Sequence, residues 1–144
     1  MTSDGAARRT TVVVAAAVVE REGHFLMTRR LEGTHLAGCW EFPGGKRHDG
    51  ETLEQCLIRE IREELACEAV VERLLVSTSH DYAERSVSLH FFACALRGEP
   101  HPQDGQEMRW VSRQGLRELE LPDADQVLVD LLTAQDSTRP TEGA

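Results

Sequence analysis

Glu60, Glu63 and Glu64 stand at i, i+3 and i+4, and on a helix that spacing crowds three carboxylates onto one face. Like charges at that spacing repel, and Arg59 and Arg62, although adjacent in sequence, point elsewhere around the helix and relieve the repulsion only partly. Two outcomes stay open: a solvated acidic face, or a site for a hard divalent cation such as Mg²⁺. That ion takes carboxylate oxygens, keeps waters and is commonly completed by substrate phosphates. Upstream, the Gly44-Gly45 turn can offer a backbone carbonyl to the same ion, because glycine permits close approach. His24, His48, His80, His90 and His101 have no zinc-like spacing, and no Ser, Cys and His pattern points to covalent catalysis.

The carboxylates need a helix, and the sequence supplies one. Thr52 and Gln55 form an S/T-x-x-Q capping box, and Leu53, Leu57, Ile61 and Leu65 repeat at i+4 as an apolar stripe. Ahead of it, Thr11 to Val19 has the composition of a buried strand, Glu20 to Gly23 turns, and His24 to Arg30 completes a hairpin. Cys39 to Phe42 is expected to be a short strand stopped by Pro43-Gly44-Gly45, with Lys46 to Gly50 a polar loop. Ala69 to Ser79 and Ser86 to Leu96 read as antiparallel strands around the polar cluster Asp81 to Arg85. Glu107 to Val111 is a further strand and Arg113 to Leu119 a short helix. Pro122 opens a last helix to about Ala134. The expected fold is α/β of the α+β type, a mixed sheet between helices.

Composition narrows the function. The 144 residues, with 40% hydrophobic content, suit one domain, expected at 11–134 between loose ends at 1–10 and 135–144. A net charge of -9 opposes nucleic-acid polymers and anionic membranes, so a phosphate ligand needs a local device. No run approaches the roughly 20 apolar residues of a membrane helix, and the polar start lacks a secretory layout, so a cytoplasmic location is expected. Cys39, Cys56, Cys67 and Cys94 form no CxxC pair and read as reduced packing residues.

Taken whole, Gly-x5-Glu-x7-Arg-Glu-Ile-x-Glu-Glu from Gly45 to Glu64, preceded by Trp40-Glu41-Phe42-Pro43-Gly44, resembles the signature of the Nudix hydrolases. The family pattern continues with Gly and an aliphatic residue where this chain has Ala66 and Cys67. A Gly would suit a left-handed helix cap, so either Ala66 costs about 1 kcal/mol or the helix ends differently. The resemblance implies a sheet between helices and hydrolysis of a nucleoside diphosphate linked to another group, with Mg²⁺ or Mn²⁺. Glu60, Glu63 and Glu64, with the Gly44 backbone, resemble the metal ligands, and Glu60 or Glu64 the base toward water. Arg59 resembles the arginine that orients a box glutamate, and Glu51 the glutamate that braces the loop. A further acid outside the helix is expected at Asp104 or Glu107.

The run from Arg29 to Phe42 is similar to the MutT-like branch, which cleaves nucleoside triphosphates to monophosphate and pyrophosphate. By that likeness Arg30 would hold phosphate oxygens, unless it is a surface residue at a strand end, and His35 would lie near the substrate. Tyr82, the single tyrosine, takes the place of an aromatic beside the base, or anchors its loop. Asp125 takes the place of the residue that reads the base edge, or caps the last helix. Its carboxylate only accepts hydrogen bonds, which favours a cytosine amino group or the N7–H of oxidised guanine. Oxidised or modified deoxynucleoside triphosphates such as 8-oxo-dGTP head the expected substrates. ADP-ribose, nucleotide sugars, dinucleoside polyphosphates and a non-catalytic nucleotide-binding role are the alternatives, in a monomer or homodimer.

Overall fold

The computed structural model describes residues 10–29, 31 and 38–138. In chain order its elements are β1 (Thr10–Arg21), β2 (His24–Arg29), β3 (Trp40–Glu41), β4 (Gly44–Lys46), α1 (Leu53–Leu65), β5 (Glu68–Asp81), β6 (Arg85–Arg97), β7 (Met108–Ser112) and α2 (Gln126–Thr138), with 3-10 turns at Gln114–Glu118 and Asp123–Asp125. Strand β1 organises the others. One of its edges is taken by β6, parallel from Thr10 opposite Arg85 to Val19 opposite Cys94. Its antiparallel partners are β4, at Val14 to Ala16, and β2, at Glu20 and Arg21. With β5 on β6, and β3 and β7 on β2, this makes one seven-stranded mixed sheet.

The pleat of β1 divides its side chains between two cores. Ala15, Ala17 and Val19 pack with Cys56, Leu57, Ile61 and Leu65 of α1, the stripe expected from the sequence with Leu53 at its margin. Ala16 and Val18 pack on the other face with Leu116, Leu128, Val129 and Leu132. The sheet therefore lies between helices, as the segment order implied. The β1–β2 hairpin turns through Glu22 and Gly23, both with positive φ (52° and 80°), as a two-residue turn between twisted strands requires. All four cysteines are free and buried.

Three local expectations are corrected. Gly44 to Lys46 form a strand on β1 instead of ending one, because Gly44 has no side chain. A Cβ there would meet the backbone of Ala15 and Ala16. The short strand before it is confined to Trp40 and Glu41. Pro122 precedes a 3-10 turn, and α2 begins only at Gln126 and runs to Thr138, into the stretch expected to be loose. A polar composition does not end a helix without a breaker, and the first one after Ala134 is Pro140.

Ala66 caps α1 in the left-handed conformation (φ 53°, ψ 42°), its N–H donating to the Arg62 carbonyl at 3.0 Å. The helix thus ends where a glycine would end it, and the Cβ carries the cost. Ala66→Gly is expected to raise the unfolding free energy by about 1 kcal/mol, seen as a higher urea midpoint at unchanged slope. No helix among the described residues is long and apolar enough to cross a membrane.

Candidate active site

The capping box is formed as expected: Thr52 Oγ1 accepts from the Gln55 N–H at 3.0 Å, and Gln55 Oε1 accepts from the Thr52 N–H at 2.9 Å. It starts α1 directly after the loop that carries Glu51. From the second turn of the helix Arg59 reaches back to that loop. Its Nε and Nη2 donate to the two Glu51 oxygens at 2.6 and 3.0 Å, and Nη2 also donates to the Lys46 carbonyl at 3.0 Å. Nη1 donates to Glu60 Oε2 at 2.9 Å and to Glu63 Oε1 at 3.3 Å. This corrects the expectation that Arg59 points away from the acidic face; the flexible side chain makes it the hub of that face. The forked bond from Arg59, helped by the His48 N–H, holds the Glu51 carboxyl down at about 2. The same carboxylates push the Arg59 guanidinium further up, so it stays charged at any working pH.

Glu60 and Glu64 sit one turn apart at the inner side of α1. The Glu60 carboxyl occupies the space where a Cβ on Gly45 would be, so β4 can lie this close only with glycine there. Glu64 is pushed up from its ordinary 4.5 to about 9. Burial contributes most, followed by a hydrogen bond with Glu60, the Glu60 charge and the Glu41 charge. The Gly44 N–H opposes the shift by donating to it. Two carboxyl groups sharing a proton beside a third are a donor set from which a hard cation would displace that proton, so the residues fit a divalent ion. Among the described residues no three His, Cys, Asp or Glu side chains form a ready-made cage. Glu60 turns Oε2 to Arg59 and Glu63 lies largely exposed, so an ion here would need oxygens from water or substrate.

A cleft of about 280 Å³ opens beside Glu64. Its floor is apolar, from Val14 and Ala16 of β1 and Leu89 of β6. Glu41, Gly44, Glu64, Tyr82, Arg85 and Asp125 also line the cleft. Tyr82 lies in the β5–β6 turn, its N–H donating to the Arg85 carbonyl at 2.8 Å and its ring 4.6 Å from that of His80. Asp125 is buried, in the 3-10 turn that leads into α2. A smaller hollow of about 140 Å³ shares Glu41 and Glu64 with the cleft and adds Arg29, Asp104 and Gln106. The two spaces thus meet at a pair of carboxylates.

The structure brings Gly44, Glu64, Tyr82 and Asp125 to one cleft, with Glu60 behind Glu64. Asp104 lines the hollow, whereas Glu107 is held by Arg29 at 2.7 Å. Arg30 and His35 lie outside the described residues. Sequence reasoning missed Glu41 and Arg85. The trace of Glu41 was a charge between two aromatics, Trp40 and Phe42, in a strand whose alternation turns it away from them. Arg85 stood in the polar Asp81 to Arg85 cluster, indistinguishable there from a solvated turn residue.

A family model described as the NUDIX domain matches residues 14–131. The CTP pyrophosphohydrolase of Escherichia coli K12 is 33% identical over 127 residues, 88% of this chain and 94% of that protein. The 8-oxo-dGTP diphosphatase of Haemophilus influenzae is 37% identical over 111 residues, 76% and 82% of the two chains. The solution structure of the E. coli ORF135 protein superposes with a TM-score of 0.81 at 32% identity, covering 93% of this chain and 96% of that one.

Proposed function

Because the chain belongs to the Nudix family and is thereby a hydrolase of phosphoric anhydrides, we propose that it converts nucleoside triphosphates, oxidised or modified ones foremost, to the monophosphate and pyrophosphate. The observation that carries this reading is the junction at Glu41 and Glu64 of an apolar cleft holding Tyr82 and Asp125 with a polar hollow holding Arg29 and Asp104. A base would lie in the first space and the polyphosphate would extend into the second. The named relatives act on a cytosine and an oxidised guanine nucleotide, both of which carry the donor that an Asp125 carboxylate would accept.

A divalent cation, Mg²⁺ or Mn²⁺, would supply the positive charge that shields the phosphate oxygens in a chain of net charge -9. Glu60, Glu63, Glu64 and the Gly44 backbone are its proposed holders, joined by Asp104 in preference to Glu107, which is engaged with Arg29. Glu64 borders both spaces, while Glu60 keeps one oxygen on Arg59, so Glu64 is the residue to take the proton from water at the junction. That water bonds to the β-phosphorus as the bridging bond to the α-phosphate breaks, and the nucleoside monophosphate leaves. Tyr82 would stack on the base, Arg85 would meet the substrate from the cleft lining, and Arg30 and His35 are the further residues proposed to contact it on the family resemblance.

Release of pyrophosphate against phosphate, measured across normal and oxidised nucleoside triphosphates, nucleotide sugars and ADP-ribose with and without Mg²⁺, tests the reading. Metal-dependent pyrophosphate release with a modified triphosphate preferred is expected. Asp125→Asn should change the preference among bases by about 10- to 100-fold in kcat/KM, since an amide presents a donor where the carboxylate presents none. Equal turnover of every base by the wild-type chain would remove Asp125 from that role.

A further inference from the structure

Arg29, the last residue of β2, touches more of the hollow's frame than any role in strand pairing requires. Its N–H donates to the Glu107 carbonyl at 3.0 Å, its Nη1 to Glu107 Oε1 at 2.7 Å and its Nε to the Gly38 carbonyl at 3.0 Å. Its guanidinium also lies 5.9 Å from the centroid of the Trp40 ring, which stacks with Arg109 as well at 4.6 Å. One planar group thereby ties the end of β2 to the segment entering β3, which carries Glu41, and to the segment entering β7, which carries Asp104.

The second of those segments is fixed at two points. At its start, the N–H groups of His101 and Gln103 donate to the carbonyls of Leu65 and Glu64 at 2.8 and 2.9 Å, using acceptors the end of α1 leaves open. At its finish, Glu107 is gripped by Arg29. Asp104 lies between the two anchors, its own N–H donating to Gln106 Oε1 at 3.0 Å, and it faces the hollow that Glu41 and Glu64 also line. Removing the side-chain bridge would leave the finish of the segment held only by backbone bonds, from the Arg29 N–H to the Glu107 carbonyl and through the pairing of Thr28 with Met108. It would also release the Glu107 carboxylate from its ion pair.

We propose that Arg29 is a positioning residue: by bridging Glu107 and Gly38 it sets the distance of Asp104 from Glu64, and so the affinity of the hollow for a divalent cation and the polyphosphate it accompanies. The proposal rests on the reading of the hollow as the cation end of the site. Its effect is on binding geometry, and it acts through Glu107, because the Nε and Nη1 donors are already committed to protein oxygens.

The test compares the full-length wild type with Arg29→Gln, Glu107→Gln and the double variant. Mn²⁺ binding is followed by electron paramagnetic resonance without nucleotide, and steady-state kinetics with the best triphosphate of the panel. Each single variant is expected to weaken Mn²⁺ binding and raise KM about tenfold, the scale of lost orientation around a ligand, with kcat changed much less. The double variant should be no worse than either single one, since both break the same bridge. Wild-type Mn²⁺ binding in Arg29→Gln overturns the proposal and leaves the Nudix reading standing. A large effect of Arg29→Gln beside a silent Glu107→Gln also overturns it, in favour of direct contact with phosphate. Additive losses would overturn it by making Glu107 a ligand in its own right. A wild-type chain that binds no Mn²⁺ and releases no pyrophosphate overturns both readings together.

Discussion

Glu64→Gln is expected to lower turnover by roughly 10³-fold or more while the metal-free protein stays folded and gains stability at alkaline pH. In the metal-free chain Glu64 is raised to about 9 by burial and by Glu60, against an ordinary value of 4.5. Between those two values the folded state therefore holds one more proton at this position than the unfolded state. Stability from this group is present below its unfolded value and is lost as pH rises toward its folded one. Glutamine is neutral, fills the same space and can donate to Glu60, so the variant imitates the protonated acid and drops that slope. Calorimetry in chelator from pH 5 to 9 should show wild-type Tm falling relative to Glu64→Gln as pH rises. Mg²⁺ should raise the wild-type Tm at pH 8 and leave the variant nearly unmoved. Undiminished pyrophosphate release by the variant would sink the assignment of Glu64 to the metal and the water.

Arg59→Lys is expected to reduce kcat/KM about 10²-fold, and Arg59→Ala further, although the side chain lies behind the cleft. One guanidinium meets Glu51, Glu60, Glu63 and the Lys46 carbonyl at once, and an ammonium cannot reproduce that fork. Released from Arg59, Glu60 would swing and carry its hydrogen bond to Glu64 with it. A second readout separates this bracing from a loss of fold. Glu51 is held at about 2, so its stabilisation is present above its ordinary 4.5 and lost as pH falls between the two values. Arg59→Ala should lower Tm at neutral pH and flatten that acid limb, whereas a variant with an unchanged acid limb would place the Glu51 pairing elsewhere.

The pattern of the chain made α1 fully legible, because cap, stripe and acidic face agree over Thr52 to Leu65 and depend only on neighbours within one or two turns. The hairpin and the β5–β6 pair were legible for the same local reason. Strand β4 was not, since Gly44 and Gly45 have no strand preference and lie on β1 only because neither carries a side chain that would meet the Ala15–Ala16 backbone or the Glu60 carboxyl. Tyr82, Asp125 and Glu64 come from distant segments to line one cleft, and the place of Glu41 between cleft and hollow is a long-range property of the β2–β3 register. Arg59 was misjudged because Cα direction on a helix says little about where a long flexible side chain ends.

The parallel alliance of β1 with β6 has a temporal meaning. It joins positions about 75 residues apart, Thr10 with Arg85, and the Glu64 environment depends on strands seated on β1. A chain leaving the ribosome presents its whole acidic helix long before β6 exists to hold β1 in a sheet. The cleft is therefore completed late in synthesis, since Tyr82, Leu89 and Asp125 all follow the helix in the chain.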